Sequence, residues 1–366
     1  MERLMKLSKI ISKLESRFPL KLQEDWDNSG LLVGDLNSEI NRIQISLDVT
    51  DEVIENAIKI GANLIITHHP LIFKPIKRVT SGDNIGKKIL KLIKNGISLY
   101  SMHTNLDSAK MGLNEYIMNL LGVENGEVLD KNYKNIYRIG IYIPEDKFIE
   151  FRKKIISFDK IYKDERYEKV SYSTEVEETF FAKEKANPAI GEKGKLSIVE
   201  NKKLDIIIEK KYINNFLNYV SKNHPYEDFS YELIKLENKI ENGGIGRIYK
   251  LDEKIKISEY IKIVKEKLNI NNIRAVYDED KEIKKIGLVN GSGASYISRM
   301  KNRGVELFIT SDIKYHEAFD ARELGMALLD IGHYETEIWF SDIIKKELLE
   351  IVEVDVFNSE KVFKYF

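Results

Sequence analysis

Six histidines are spread over 366 residues, and four of them stand where apolar runs that read as strands come to an end. Thr67-His68-His69-Pro70 follows Leu64-Ile65-Ile66, so two imidazoles leave the carboxyl end of a strand, where open α/β sheets place their ligands. In a continuing strand adjacent side chains would point to opposite faces. Pro70, however, offers no ladder donor and biases His69 toward an extended or turn conformation, which lets both rings face one site. A second strand end, His103-Thr104-Asn105-Leu106-Asp107 after Ile97–Met102, adds an imidazole and a carboxylate. The third, Ile331-Gly332-His333-Tyr334-Glu335-Thr336-Glu337, carries His333 and Glu337 four apart, on the same side of a helix that begins there. Asp312 and His316 add polar groups at a fourth.

Such clustering of imidazole and carboxylate predicts a metal site. Three imidazoles and two carboxylates fit two ions about 3.5–4 Å apart with a carboxylate between them, and Glu337 is the choice for that bridge. A pair of ions lowers the pKa of water and polarises a carbonyl or phosphoryl oxygen, which is hydrolytic chemistry. His103 or His316 would then move protons as catalytic residues. With no cysteine in the chain, thiolate ligands and disulfides are excluded, and the nitrogen and oxygen donors suit zinc, manganese, iron or nickel without choosing sharply among them.

The elements that must position these groups follow from apolar periodicity. Leu4, Leu7, Ile10, Ile11, Leu14 and Phe18 recur at helical spacing up to Pro19. Ile43–Val49, Leu64–Thr67 and Ile97–Met102 read as strands, with helices at Asp51–Ile60, closed by Gly61, at about Ile85–Lys94 and at about Leu113–Leu121. The middle changes register. Strands near Arg138–Ile143, Lys169–Glu177, Leu204–Glu209 and Phe229–Leu236 alternate with helices near Lys147–Ser157 and Lys211–Lys222, the β-α-β-β-α-β order of a ferredoxin-like domain. Asn242-Gly243-Gly244-Ile245-Gly246 reads as a hinge leading back. The last third resumes the α/β rhythm, with strands at Lys285–Asn290, Val305–Thr310 and Ala327–Ile331 and helices at Ala294–Asn302, Tyr315–Leu324 and Glu335–Leu349.

The expected fold is therefore a layered α/β metal-binding domain in two halves, 1–135 and 241–366, split by an α+β insert at 136–240. Gly291-Ser292-Gly293 lies at a strand-to-helix junction but lacks the full phosphate-binding fingerprint, so it reads as a tight turn rather than an anion site. His224, beside Pro225, reads as a capped loop residue rather than a ligand.

Composition excludes several classes. The 58 basic and 59 acidic side chains leave a formal charge of −1, which gives no footprint for nucleic acid or an anionic membrane. No stretch approaches about 18 uninterrupted apolar residues and no leader is legible at the N-terminus, so a cytoplasmic location is expected.

Together, Glu24-Asp25-Trp26-Asp27-Asn28-Ser29-Gly30, Thr67-His68-His69-Pro70-Leu71, His103-Thr104-Asn105-Leu106-Asp107, Thr310-Ser311-Asp312-Ile313-Lys314-Tyr315-His316 and Gly332-His333-Tyr334-Glu335-Thr336-Glu337 resemble the NGG-one-interacting-factor-three-like proteins, the GTP cyclohydrolase 1 type 2 homologues. The resemblance implies a dinuclear centre with His68, His69, Asp107, His333 and Glu337 as metal ligands, His103 falling to the pocket around them. It also implies a toroidal homohexamer and the opening of a GTP purine ring. The middle is similar to the longer bacterial members, whose insert resembles PII and CutA proteins; Ala186-Asn187-Pro188-Ala189-Ile190-Gly191, His224-Pro225-Tyr226-Glu227-Asp228 and Gly244-Ile245-Gly246-Arg247 carry that likeness. The function read from the sequence is a metal-dependent hydrolase acting on a nucleotide-like small molecule; the alternative is a non-catalytic metal-binding or regulatory ring protein.

Overall fold

The computed structural model describes residues 4–366 apart from 125, 164, 165, 187, 189, 227, 239, 240, 359–361 and 364–366. Asn187, Ala189 and Glu227 of the quoted motifs therefore lie outside the described residues. The chain divides into two compact units, Met1–Asn132 with Asn242–Phe366, and Tyr133–Glu241. Among the described residues no helix is long and apolar enough to cross a membrane.

The first unit holds two larger sheets. In its first half come α1 (Leu7–Arg17), β1 (Gly30–Val33), β2 (Arg42–Ser46), α2 (Asp51–Ile60), β3 (Leu64–Thr67), α3 (Asn84–Lys94), β4 (Ser98–Ser101), α4 (Thr104–Ser108), α5 (Leu113–Leu120) and β5 (Glu127–Tyr133). The second unit contributes β6 (Ile136–Pro144), α6 (Phe148–Ile155), β7 (Ser171–Phe181), β8 (Leu196–Glu209), α7 (Ile213–Asn223) and β9 (Tyr231–Lys235). The first unit then resumes with β10 (Glu241–Lys256), α8 (Ile257–Leu268), β11 (Arg274–Val276), β12 (Glu282–Ser292), α9 (Ile297–Asn302), β13 (Leu307–Ser311), α10 (Tyr315–Glu323), β14 (Ala327–Asp330), α11 (His333–Glu337), α12 (Phe340–Leu348) and β15 (Glu353–Val356).

One sheet runs β15-β2-β3-β4-β1, parallel except where β1 meets β4, and the other runs β11-β14-β13-β12-β10-β5 with a parallel centre, β12 to β14. Every residue of β3, β4, β13 and β14 is buried, as strands covered on both faces require. The helices between them are locally encoded. Thr50 Oγ1 accepts from Val53 N at 3.1 Å, Asp51 and Glu52 fill the positive first turn of α2, and Gly61 closes it at φ 72. One hydrophobic core takes Ile66, Met102 and Ile117 from the first half and Ile309, Leu329 and Phe340 from the second. Neither half buries that surface alone.

The second unit is a four-stranded antiparallel sheet in the order β9-β6-β8-β7. Its own core sets Ile139, Ile141 and Ile143 of β6 and Leu204, Ile206 and Ile208 of β8 beneath Phe148, Phe151, Phe216 and Val220 of the two helices.

Two expectations are corrected. The glycine-rich run at 242–246 is not a hinge but the start of the sixteen-residue strand β10. Its glycines answer close packing: a Cβ on Gly244, at φ 145, would meet the Asp130 carbonyl oxygen at 1.9 Å. The final helix is also broken, α11 ending at Glu337 and α12 starting at Phe340. The run of apolar residues there conceals the break, because Ile338 and Trp339 lie in the helical region as well.

Candidate metal centre

The ends of β3, β4, β13 and β14 converge. His68 and His69 leave β3, His103 precedes and Asp107 lies within α4 just beyond β4, and His333 and Glu337 open and close the single turn α11 just beyond β14. Two overlapping groups could each hold a metal ion, His68 with His69 and His103, and His69 with His333 and Glu337, the donor atoms in each lying within 4.8 Å of one another. Glu337 is 2% exposed and His68 is wholly buried. Glu337 Oε2 lies 2.9 Å from both His69 Nε2 and His333 Nε2, while Oε1 lies 3.6 Å from His68 Nε2. Asp107 Oδ1 stands 3.7 Å from that same His68 nitrogen.

Each of these imidazoles has its other nitrogen engaged. Nδ1 of His69 is 2.8 Å from Asp48, that of His333 is 2.6 Å from Asp312, that of His103 is 2.8 Å from Asp27, and that of His68 is 2.8 Å from the Met102 carbonyl. A carboxylate or carbonyl at Nδ1 accepts the proton there and turns the other nitrogen's lone pair inward, the usual outer support of a metal-ligating histidine. Two buried atoms, His68 Nε2 and Glu337 Oε2, have no hydrogen bond of acceptable geometry although nitrogens and oxygens crowd them. A buried nitrogen and a buried oxygen left without hydrogen bonds among so many donors fit a cation.

Electrostatics agree. Burial opposes charge on His69, but the Asp48 and Glu337 carboxylates outweigh it and hold the ring up at about 10; burial is likewise overcome at His333, held at about 9 by Glu337 and Asp312. Burial would raise Glu337, yet the surrounding imidazoles keep it well below its ordinary range, whereas burial dominates at Asp107 and raises it. Asp27 is buried too, but the His103 and Thr104 hydrogen bonds hold it below the usual carboxylate range.

The backbone is shaped to the site. Gly291, at φ 61, approaches so closely that a Cβ there would meet Glu337 Oε1 at 2.5 Å. Its N–H donates to Thr336 Oγ1 at 2.9 Å, and its carbonyl accepts from Thr310 and Ser311. Gly291 thus packs against the carboxylate. Asp312 sits in the left-handed region at φ 58, a conformation aspartate tolerates better than most, and from there reaches His333.

The structure does not bring His316 to this cluster. It lies exposed on α10 with its ring edge-on to Tyr315, and among the described residues it has no hydrogen bond to any of the six groups. His224 spends both ring nitrogens inside its own unit, on the Tyr142 carbonyl and the Tyr226 N–H. Sequence reasoning missed Asp48 and Asp27, which steady His69 and His103, and it missed the amides that steady Asp107. Asn290 Nδ2 donates to Asp107 Oδ1 at 2.9 Å, and Asn114 exchanges hydrogen bonds with Asn290 at 2.6 and 2.9 Å. Asp48 had a signal, since it follows β2 and so stands at one more strand end.

Comparison with known proteins gives the same assignment throughout the chain. The Duf34/NIF3 (NGG1p interacting factor 3) family matches residues 5–363. The GTP cyclohydrolase 1 type 2 homolog of Staphylococcus epidermidis is 33% identical over 362 residues, 99% of this chain and 97% of that protein, and the Staphylococcus aureus one is 32% identical over 358 residues, 98% and 95%. A Bacillus cereus protein related to NIF3 superposes with a TM-score of 0.84 at 32% identity, covering 99% of both chains. At this identity and coverage the chain belongs to the Duf34/NIF3 family.

Proposed function

We propose that the first unit carries a dinuclear divalent-metal centre and that the protein is a metal-dependent hydrolase acting on a nucleotide-like small molecule. One observation carries this reading: three imidazoles, each with Nδ1 already engaged, surround a buried carboxylate whose two oxygens face different donors. Glu337 Oε1 with His68 and Asp107 would hold one ion, and Oε2 with His69 and His333 the other. Zinc, manganese, iron and nickel all suit these donors. Divalent cations held there supply an activated water and polarise a carbonyl or phosphoryl oxygen. The chain's own part is to fix the ligands and to orient His103 through Asp27 so that its other nitrogen can take or return a proton. The relatives named GTP cyclohydrolase 1 type 2 homolog support a nucleotide as the substrate class.

The second unit, in this reading, is a ferredoxin-like insert of the PII and CutA kind. Its β-α-β-β-α-β order and fully antiparallel β9-β6-β8-β7 sheet support that. The test of the enzyme reading is turnover. Metal-loaded protein is incubated with GTP, other nucleotides and simple phosphate esters, with His103→Gln and His316→Gln in parallel. Metal-dependent product that is lost in the His103 variant and kept in the His316 variant is expected; no product from any substrate overturns the enzyme reading and leaves a binding role.

A further inference from the structure

Beside the imidazole cluster stands an aromatic pair that neither the core nor the metal site uses. Trp26, between β1 and the short turn that follows α1, is 57% exposed, and Phe73, in the segment between β3 and α3, is 44% exposed. Their rings meet at 5.8 Å and 53°, and both contact His103, the indole at 6.0 Å and the phenyl at 6.5 Å, edge to face. Burial does not explain them, since large aromatics are normally spent in cores. They are nevertheless held in place: Asn28 Nδ2 donates to the Ile72 carbonyl at 2.5 Å, which ties the Trp26 loop to the Phe73 segment, and Asp27 anchors the loop through His103 and Thr104.

The same segment carries Lys74, Lys77 and Arg78, all exposed and, among the described residues, without an ion-pair partner. A fixed aromatic face next to divalent-metal ligands, with unpaired cations following it, matches a ligand that combines a flat ring with an anionic group. We infer that Trp26, steadied by Phe73, is the stacking platform for a planar heteroaromatic ring whose anionic substituent meets the Lys74–Arg78 segment and whose reactive edge faces His103. The inference rests on the proposed function, whose substrate class it narrows. At 5.8 Å the two rings stand too close to sandwich a third, which needs about 7 Å between faces, so the ligand ring stacks on the open face of the indole and Phe73 sets its tilt.

The experiment is direct binding, read apart from turnover. Zinc-loaded wild type, Trp26→Ala, Trp26→Phe and Phe73→Ala are titrated with guanosine 5′-monophosphate, guanosine and ribose 5-phosphate, following calorimetry and indole fluorescence, with zinc content and light scattering measured on each protein. Stacking of a base on an aromatic side chain is strong enough that Trp26→Ala should bind the nucleotide about tenfold or more weakly. Trp26→Phe should keep most of the affinity while losing the fluorescence quenching. Ribose 5-phosphate should bind all four alike, and guanosine should bind more weakly than its monophosphate. The platform is overturned by undiminished nucleotide affinity in Trp26→Ala, by no nucleotide binding to wild type, or by a changed assembly state in the alanine variants, which would make this face a contact between copies. Binding as expected without turnover would remove the hydrolase reading alone; turnover with unaltered affinity in Trp26→Ala would remove the platform alone.

Discussion

Metal uptake should be strongly coupled to pH, and the geometry says by how much. In the metal-free protein Glu337 Oε2, 2.9 Å from the inner nitrogen of His69 and of His333, favours a proton on each, and with Asp48 and Asp312 it holds the two rings up at about 10 and about 9. Both values are raised above the ordinary 6.5 of an imidazole. The stability these protons give the metal-free fold is thus fully present below pH 6.5 and is lost as pH rises through 9 to 10. A cation needs the same lone pairs, so its binding must expel one proton from each ring. Every expelled proton steepens log K against pH by about one unit per pH unit. Between pH 7 and 9 the apparent affinity should therefore climb by up to about a hundredfold per pH unit, easing to about tenfold once His333 is neutral. Chelator competition gives the slope, and calorimetry in two buffers of different ionisation enthalpy counts the protons. An affinity that is flat from pH 7 to 9, with no proton release, would refute the claim that Glu337 keeps these rings charged.

Three further outcomes follow from the same site. Glu337→Gln keeps the shape but removes the charge both donor sets share, so metal content per chain should fall further than in His333→Ala, while Glu335→Gln stays near wild type; elemental analysis after gel filtration decides the order. Asn290→Ala strips a hydrogen bond from Asp107 and removes one of the two acceptors of the buried Asn114 amide, which should cost about 1–3 kcal/mol of stability and about ten- to a hundredfold in metal affinity, measured by thermal unfolding and chelator competition. Deleting 136–240 and joining the ends through a short glycine linker should leave a soluble protein that still takes up metal, because the two units have separate cores; an insoluble product would contradict that.

Legibility tracked how local each signal was. β3 and α2 end within a residue or two of where periodicity and Gly61 put them, since capping and burial act over a single turn. The six groups could be singled out because strand ends collect ligands, a rule needing no knowledge of which strands are neighbours. What supports them was hidden. The partners of His69 and His103 lie 21 and 76 residues away, and Asn290 is 183 residues from Asp107. No spacing rule reaches across such distances. His316 failed for the opposite reason. It shares a motif with Asp312, which does reach His333, but its place on α10 turns the ring out to solvent.

These separations also bear on how the site comes into being. His68, His69, His103 and Asp107 belong to one half of the first unit, and His333 and Glu337 to the other, with the whole second unit between them in sequence. The proposed metal centre cannot be assembled by either half, because imidazoles of the first lie against a carboxylate owned by the second. The asparagine bridge that orients Asp107 crosses the same seam, and so does the core in which Ile66 and Phe340 are both buried. Folding of the two halves onto each other and completion of the ligand set are thus one event, and a cation that binds only the completed set must favour the docked state by its own binding free energy. Cleavage or loosening of the second unit should leave the site intact so long as the halves stay docked, whereas substitutions at their seam should lose metal and stability together.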